Sequence, residues 1–435
     1  MRSSGRTVKQ FLVQIRTCIE SQDDASLCSL LDPFKREPNA ISQLDEISPE
    51  KGSREALQIG GTYADFLKEY VQFLVEWQGY VKQGRRLMPE RATRAAGSAL
   101  EKWHAMTMTE NDKWPVKVFV TLVHVLKKTG LQAISSKQTQ EEDGGEEGDD
   151  SGGQGMSVER AESMITPLRK CMAQAARPGD RNYTHATTVV VLANILDLFS
   201  TLGAYGQSGM FLKQRENMYI DRMNLPKGAE ISFLFNRGRN DMMMEYFSDA
   251  NKNLTEAFKQ CRKDAVGMKR RILECLVIVR LRLDCSPPEG LLEEYGLRHL
   301  IPLATAVRLG NVTLWQMTMR DPAVVSLMRP EILLPAEMTI TNVYKRLFFL
   351  AHRRWEKWAT SGKVDPAADI KPNFIPLSYL HSAVKWQQPI EAVDPDEILS
   401  IVCALIDANF MKGYVAVEAG IVIMPRNNPF SWTQK

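Results

Sequence analysis

The feature that most constrains the fold of this chain is a long succession of helical patterns between residues 158 and 282. Short breakers separate these patterns, and they are Pro178-Gly179, Leu202-Gly203, Pro226-Lys227-Gly228 and Arg237-Gly238. Helices of roughly 10 to 20 residues joined by short turns, with no alternating strand pattern between them, are typical of antiparallel helix pairs stacked into a solenoid. No repeat of fixed length is visible, so the prediction rests on the lengths of the elements.

The chain also begins with helical periodicity. Apolar residues from Val8 to Ile19 recur at spacings of three and four, which predicts a helix from Thr7 to Leu31 that Asp32-Pro33 ends. Residues 34–59 are turn-rich, and an apolar stripe then predicts a helix through Tyr63 and Trp77. A further helix is predicted from Lys113 to Lys128, with Pro115 in its first turn. We assign residues 1–135 to an N-terminal helical region.

Residues 136–157 differ in composition from the rest of the chain. The segment SKQTQEEDGGEEGDDSGGQGMS consists of glycine, acidic and polar residues with almost nothing to bury. Such a segment cannot offset the entropy lost on ordering, so we predict a disordered acidic and glycine-rich loop. The loop is either an insertion without a mechanism or an acidic tether for a basic partner.

The pattern changes again beyond Pro372. A helix is predicted from Pro376 to Trp386, and a second helix from Ile398 to Phe410 follows the N-cap residue Asp394. Two β-branched runs, residues 413–417 and 420–424, then predict a two-stranded hairpin. We therefore predict an all-α fold in which a helical-repeat, TPR-like solenoid over residues 158–300 leads into residues 301–435, which end in a winged helix with a small β-hairpin.

Composition and net charge narrow the possible functions only slightly. Among 435 residues, 55 basic and 52 acidic side chains give a net charge of +3, so nucleic-acid binding would need a local patch. The seven cysteines include no C-x-x-C pair and are expected to be buried thiols in a reducing compartment. The first residues lack an apolar signal region, and no uncharged run is long enough to span a bilayer. We expect a soluble intracellular protein without a membrane partner.

No motif for catalysis, a metal ion or a cofactor is present. The sequence Ser361-Gly362-Lys363-Val364 lacks both the leading glycine of a phosphate-binding loop and the hydroxyl residue after the lysine. The six histidines are scattered and form no H-E-x-x-H pair, and no G-x-S-x-G elbow occurs. We predict that the chain is not an enzyme and binds neither a metal nor a cofactor.

The candidate binding residues lie mostly near the C-terminus. Lysine and arginine beside aromatic residues neutralise phosphates and stack on unpaired bases, which would suit single-stranded RNA. The candidate nucleic-acid contacts are Lys345, Arg346, Arg353, Arg354, Lys385, Lys412 and Arg426. The alternative is a packing helix whose charges face water. The second helix of the winged helix opens with Asp394, Asp396 and Glu397, which repel phosphate and disfavour sequence-specific DNA reading.

A second set of residues is a candidate for partner binding. Arg270 and Arg271 either hold an acidic partner or cover the edge of a repeat, and Trp355 and Trp358 accompany the basic stretch.

Several short motifs resemble the PCI family. They are Tyr246-Phe247 with Ala250, Leu254, Ala257 and Cys261, then Lys269 to Leu273, Leu291 to Tyr295, and Leu300 to Val312. Further motifs resemble the messenger-RNA export branch of that family, and they are Thr7 to Leu12, Asp396 to Ile406, Met411 to Val415 and Asn428 to Phe430. The chain departs from the branch at Asn342, where an arginine is usual, and residues 80–160 match no known pattern.

This resemblance implies a scaffold subunit of the TREX-two complex, in the nucleus and at the nuclear pore and envelope. It implies a larger PCI-bearing export scaffold and a small acidic disordered subunit as partners, together with nuclear-pore components. Two adjacent winged helices would form a joint surface for RNA or single-stranded nucleic acid, in messenger-RNA export coupled to transcription. The alternative is a PCI subunit of a signalosome- or proteasome-lid-type assembly that does not bind RNA.

Overall fold

A computed structural model describes residues 7–34, 41, 44–83, 88–108, 114–143, 153–175, 182–216, 226–361, 371–387 and 393–431. These residues are mostly helical and end in a small antiparallel sheet, so the predicted fold class is confirmed. The chain divides into two compact units, Met1–Asn240 and Asp241–Lys435. The predicted segment boundary at residue 300 falls inside the second unit, and the four-segment division stays a prediction. None of the described helices combines the length and apolarity that crossing a membrane requires.

The first unit consists of helices in succession. They are α1 (Val8–Glu20), α2 (Asp24–Leu31), α3 (Pro49–Gly60), α4 (Ala64–Gln83), α5 (Met88–Thr107), α6 (Trp114–Asp143), α7 (Gly153–Ala175), α8 (Asn182–Thr201), α9 (Ser208–Glu216) and α10 (Lys227–Met243), whose last turn crosses into the second unit.

The single helix predicted from Thr7 to Leu31 is wrong, because the structure has two helices there. Gln22 adopts a left-handed conformation with φ of 54°, which ends α1. Asp23 then accepts a hydrogen bond from the Ser26 backbone N–H at 3.0 Å and caps α2. The apolar periodicity continues across this break, so it conceals the turn. Helix α3 also occupies a stretch that was predicted to be turn-rich.

The predicted loop at residues 136–157 is wrong at both ends, where the structure has helices. Helix α6 extends to Asp143, and α7 begins at Gly153. Lysine, glutamine and glutamate have good helix propensity, and each residue added to an existing helix gains a hydrogen bond without a new nucleation step. The middle of the predicted loop, residues 144–152, lies outside the described residues, and so does the most acidic part of the proposed tether.

Aromatic side chains fill the core of the first unit between α4 and α5. Phe66 and Tyr70 are fully buried on α4, and the Trp103 ring of α5 packs edge-on against Phe66 with centroids 5.1 Å apart. The Tyr70 hydroxyl donates to the Leu31 carbonyl oxygen at 3.0 Å, and the Trp103 indole N–H donates to the Pro115 carbonyl oxygen at 3.3 Å. These bonds satisfy the polar atoms of two large rings that would otherwise be costly to bury.

His104 is a buried titratable group in the same core. Its Nδ1 lies 3.4 Å from the Tyr183 hydroxyl oxygen, and its ring packs against Phe119 and Tyr183. Burial lowers the pKa of His104 from 6.5 to about 4, because the charged imidazolium loses its hydration. The folded protein therefore holds a neutral imidazole at this position at neutral pH.

The cysteines follow the expectation of buried thiols only in part. Cys18, Cys171, Cys261 and Cys275 are buried, and burial raises the pKa of the Cys171 thiol to about 12. Cys403 is exposed on a helix of the second unit, which corrects the expectation for that residue.

The second unit contains the remaining helices and the sheet. The helices are α11 (Phe247–Gln260), α12 (Val266–Arg282), α13 (Glu289–Glu294), α14 (Ile301–Leu309), α15 (Val312–Arg320), α16 (Pro322–Val325), α17 (Pro330–Glu337), α18 (Ile340–Ala359), α19 (Leu377–Gln387) and α20 (Pro395–Asp407). The strands are β1 (Phe374–Pro376), β2 (Tyr414–Ala416) and β3 (Ile421–Ile423).

The sheet completes a winged helix. Strands β2 and β3 form the predicted hairpin, with Val415 opposite Val422. A third strand, β1, pairs antiparallel with the other edge of β3, so the order is β1-β3-β2. Strand β1 was not predicted, because it ends in Pro376 and proline counts against a strand. The order α18-β1-α19-α20-β2-β3 confirms the predicted winged-helix end.

Gly310 fixes the turn between α14 and α15. It caps α14 in the left-handed conformation, with φ of 67°, and a Cβ there would lie 2.6 Å from the backbone nitrogen of Leu347 on α18. Gln387, at the end of α19, donates to the Gly310 carbonyl oxygen at 3.0 Å and accepts from the Val312 N–H at 2.7 Å. This turn therefore sits directly on α18 and is held by α19.

We expect Gly310→Ala to lower the free energy of unfolding by about 2 to 4 kcal/mol, because a Cβ is strained in this conformation and collides with backbone. Chemical denaturation of the full chain measures the effect. Gly267→Ala is the matched control, since a Cβ at Gly267 meets no atom within 4 Å. The expectation fails if both variants are equally stable.

We expect the free energy of unfolding to fall by up to about 3 kcal/mol on account of His104 as the pH drops from 6.5 towards 4. The folded pKa is below the unfolded one, so the unfolded chain binds more protons in this window and stability rises with pH. His104→Gln should lack this component. Denaturation curves across this pH range compare the two proteins, and parallel pH profiles for both would contradict the assignment.

Candidate functional site

Most of the predicted binding residues lie on α18, a helix of 20 residues with one face against the core. Because successive residues on an α-helix are rotated by about 100°, neighbours in sequence face different surroundings. Lys345 is buried, Arg346 is half-buried, and Arg353 and Arg354 are exposed. The basic stretch therefore divides into a buried part and an exposed part, which the sequence alone did not separate.

The prediction that Lys345 contacts RNA is corrected, because its side chain is 0% exposed. Its Nζ donates to Asp284 Oδ2 at 2.5 Å and lies 4.9 Å from the centre of the Phe410 ring. Burial lowers the pKa of Lys345, and the hydrogen bond to Asp284 opposes that shift. Lys345 is an internal ion-pair partner and does not reach a nucleic-acid backbone.

Arg282 and Asn342 extend this ion pair into a buried polar network. Arg282 donates through Nη1 to the Met338 carbonyl oxygen at 2.7 Å, to Asn342 Oδ1 at 2.8 Å and to the Thr341 hydroxyl oxygen. Asn342 Nδ2 donates to the Arg282 carbonyl oxygen at 3.0 Å and to Asp284 Oδ1 at 2.9 Å. Asn342 thus serves both as donor and as acceptor, which an arginine at this position could not do.

Arg346 is held at the surface rather than free to move. Its Nε donates to the Arg308 carbonyl oxygen at 3.2 Å, and its guanidinium lies 5.5 Å from the centre of the Phe349 ring. Arg346 and Arg308 line a small cavity of about 180 Å³ beside Asp284. This surface carries a carboxylate as well as guanidinium groups, so it is a poor site for phosphate.

Arg353 and Arg354 border a groove of about 600 Å³ between α18 and α19. Lys357 lies on the same border. Apolar side chains supply most of the lining, and they are Leu309, Leu347, Leu350, Tyr379, Ala383 and Trp386. No acidic side chain is among the described residues that line the groove. We call this feature the α18–α19 groove.

The two predicted partner-binding tryptophans have different roles. Trp355 is buried between α18 and α19, with its ring 5.0 Å from that of Trp358 and 5.2 Å from that of Tyr379. It is a packing residue, which corrects the prediction for Trp355. Trp358 is half-exposed. Trp386 was not among the predicted binding residues, but it is 78% exposed and lines the α18–α19 groove. Its position at the end of a predicted helix gave no signal of exposure.

The wing side of α18 has a different character. His352, Glu356 and Thr360 line a pocket of about 380 Å³ together with Arg426. Arg353 and Lys357 of the groove each lie about 100° around the helix from His352 and Glu356, so the pocket and the α18–α19 groove lie on adjacent sides of α18. Lys412, just before β2, is also exposed, and so is Lys385 on α19.

Helix α20 occupies the position of a recognition helix but contains no lysine or arginine. Its exposed residues include Asp396, Glu397 and Asp407. A negatively charged face repels the phosphates that flank a DNA groove. The structure thus gives the same reason as the sequence for disfavouring sequence-specific DNA reading.

The remaining candidates lie on α12. Arg270 is exposed near the end of that helix's first turn, whereas Arg271 is half-buried. No other described feature tests their role in partner binding, which stays a prediction. Among the described residues, no group of three or more His, Cys, Asp or Glu side chains is placed to hold a metal ion.

The fold and these surfaces define a class of protein: a helical-repeat scaffold that ends in a winged helix with an acidic recognition helix. No protein-family model matches the chain. It is 22% identical over 434 residues to PCI domain-containing protein 2 of Xenopus laevis. That alignment spans 98% of this chain and 97% of the relative. It is also 21% identical over 432 residues to Enhanced ethylene response protein 5 of Arabidopsis thaliana. This second alignment spans 99% of this chain and 96% of that protein.

A third relative matches only part of the chain. Protein CSN12 homolog of Gibberella zeae is 28% identical over 215 residues, which are 48% of this chain and 46% of that protein. The chain therefore resembles proteins named for the PCI domain along almost its whole length, as the sequence motifs predicted.

We expect Asp284→Asn to lower the free energy of unfolding by about 3 kcal/mol, because it leaves the buried Lys345 cation without an anionic partner. Asparagine also tolerates the left-handed conformation of residue 284, so the backbone is not the cause. Thermal or urea unfolding of the full chain measures the loss.

Adding Lys345→Met to Asp284→Asn should recover part of that loss, since it removes the unpaired charge. Glu289→Gln, which breaks an exposed pair with Arg308, is the control and should change stability by less than about 0.5 kcal/mol. Equal losses of unfolding free energy in Asp284→Asn and Glu289→Gln would contradict the expectation that the buried pair stabilises the fold more than an exposed pair does.

Proposed function

We propose that this chain is a non-enzymatic scaffold subunit of a TREX-two-type messenger-RNA export complex at the nuclear pore. The observation that carries the proposal is the similarity to PCI domain-containing protein 2 over almost the whole chain, together with the winged-helix end. In this role the chain binds a larger PCI-bearing scaffold and a small acidic protein, and it acts in the nucleus, where export is coupled to transcription.

The chain contributes to RNA binding in this proposal through cations outside the α18–α19 groove. Lys385, Lys412 and Arg426 are exposed, and Lys412 and Arg426 flank the strands of the wing. Contacts from flexible basic side chains to phosphates supply affinity without sequence preference. Arg353 and Arg354, which were also predicted to bind RNA, border the α18–α19 groove and stay predictions.

A second winged helix is needed in this proposal because the patch on this chain is small. Three phosphate contacts to single-stranded RNA would give a salt slope of about −2, since each contributes roughly 0.7. Such a slope corresponds to weak binding at physiological salt. A neighbouring PCI subunit that adds its own cations would raise both the affinity and the slope.

The alternative function is a PCI subunit of a signalosome- or proteasome-lid-type assembly that does not bind RNA. What favours it is the similarity of about half of the chain to proteins named Protein CSN12 homolog. Tagged pull-down from nuclear extract with mass spectrometry separates the two. A large PCI scaffold, a small acidic protein and nuclear-pore components support the export role, whereas signalosome or lid subunits overturn it.

We expect the triple variant Lys385→Glu, Lys412→Glu and Arg426→Glu to weaken poly(U) binding by the assembled complex and to reduce the salt slope by about 2. The reason is that each substitution removes one phosphate contact. Fluorescence anisotropy at several salt concentrations measures both quantities.

The control carries the same charge change on a different surface of the second unit. Lys252→Glu, Lys259→Glu and Lys263→Glu alter three exposed lysines on and just after α11. They should leave the salt slope unchanged. Equal losses in the two triple variants would mean that net charge, rather than the wing, determines RNA affinity.

A further inference from the structure

The α18–α19 groove exposes more apolar surface than its position in a folded unit requires. Among its lining residues, Leu309 is 52% exposed, Leu350 is 38% exposed and Trp386 is 78% exposed. Large apolar side chains gathered in a concave surface mark a site that another molecule covers. Tryptophan and arginine together are also the residue types that contribute most to protein interfaces.

The border of this groove has only one sign of charge. Arg353, Arg354 and Lys357 are exposed on consecutive turns of α18, and no carboxylate is found among the described lining residues. Within the described part of the chain, Arg354 and Lys357 have no ion pair. An occupant that presents carboxylates along one edge and apolar side chains towards the floor would satisfy both features.

The geometry favours a helix as this occupant. The groove runs between two helices, and its apolar lining comes from Leu347, Leu350 and Ala351 of α18 and from Tyr379, Ala383 and Trp386 of α19. An amphipathic helix inserts side chains spaced at i, i+3, i+4 and i+7 into such a groove. Single-stranded RNA instead needs aromatic faces on which successive bases stack, and the lining offers only Tyr379 and Trp386.

We propose that the α18–α19 groove binds an acidic amphipathic helix of a partner protein. The apolar face of that helix covers Leu309, Leu350 and Trp386, and its carboxylates pair with Arg353, Arg354 and Lys357. The inference rests on the proposed scaffold role and adds the surface and the chemistry of one partner. Two of the three proposed RNA contacts, Lys412 and Arg426, lie on the wing and outside the lining of this groove.

The test uses the full chain and a fluorescein-labelled synthetic peptide of about 18 residues, which is about five helical turns. The peptide carries leucines on one face and glutamates on the other. The control peptide has the same composition with the leucines distributed around the helix. The wild-type chain should bind the first peptide at least about tenfold more tightly than the second, and added salt should weaken that binding.

Variants then locate the site. Trp386→Ala should weaken binding about tenfold or more, and so should Arg353→Glu combined with Arg354→Glu, because both remove contacts to the peptide. These side chains are exposed, so the variants are expected to stay folded, and circular dichroism checks this. Leu309→Ser, at the end of α14, provides a second variant in the apolar lining. Lys252→Glu combined with Lys263→Glu carries the same charge change elsewhere and should leave binding unchanged.

Two outcomes would overturn the inference. The first is equal binding of both peptides, or peptide binding that Trp386→Ala and Leu309→Ser leave intact. The second is loss of poly(U) binding, rather than of peptide binding, on Trp386→Ala, which would make the groove an RNA surface. Absence of RNA binding by the complex, with the peptide result intact, would instead remove only the proposed role in RNA binding.

Discussion

The second unit depends on a buried ion pair between Lys345 and Asp284. Asp284 follows the end of α12, Lys345 lies on α18, and the Phe410 ring that covers the ammonium group follows α20. Burying an unpaired ammonium group would be prohibitive, so the fold retains Lys345 only because Asp284 is fixed within 2.5 Å. Arg282 and Asn342 hold the pair in place through further hydrogen bonds. One polar network thus joins the end of α12 to the winged helix.

This network fixes α18 against the end of α12 through Lys345 and Asn342, which leaves the side of α18 that carries Arg354 and Lys357 available for another contact. The Gly310 turn packs directly against α18 near Leu347, and Gln387 ties that turn to α19. The α18–α19 groove is therefore bounded by rigid helices rather than by loops, so little ordering is needed when a partner binds. Arg426 of the wing adjoins His352 and Glu356 on the neighbouring side of α18. One helix therefore contributes both to an apolar, cation-bordered groove and to a polar pocket.

Periodicity predicted the helical class and the winged-helix end, because both depend on many residues repeating one pattern. It failed where one or two residues decide the conformation. Gln22 and Asp23 divide a helix without interrupting its apolar stripe. Lys345 was predicted to be exposed because lysine is rarely buried, and its anionic partner is 61 residues away in sequence. Trp386 and Trp355 are chemically identical, yet one is exposed and the other packs against Tyr379. The difference in exposure depends on tertiary packing, which a local sequence pattern does not determine.

The charge of α20 connects these observations to function. A winged helix that reads DNA places cations on its recognition helix, whereas here that helix exposes Asp396, Glu397 and Asp407. The fold therefore has the architecture of a winged helix, but its recognition helix lacks the positive charge that nucleic-acid binding requires. Cations remain on α18 and on the wing, where they border a groove or flank short strands. This distribution favours a module whose main contacts are with proteins, and in the proposed function its RNA contacts depend on a neighbour that supplies further cations.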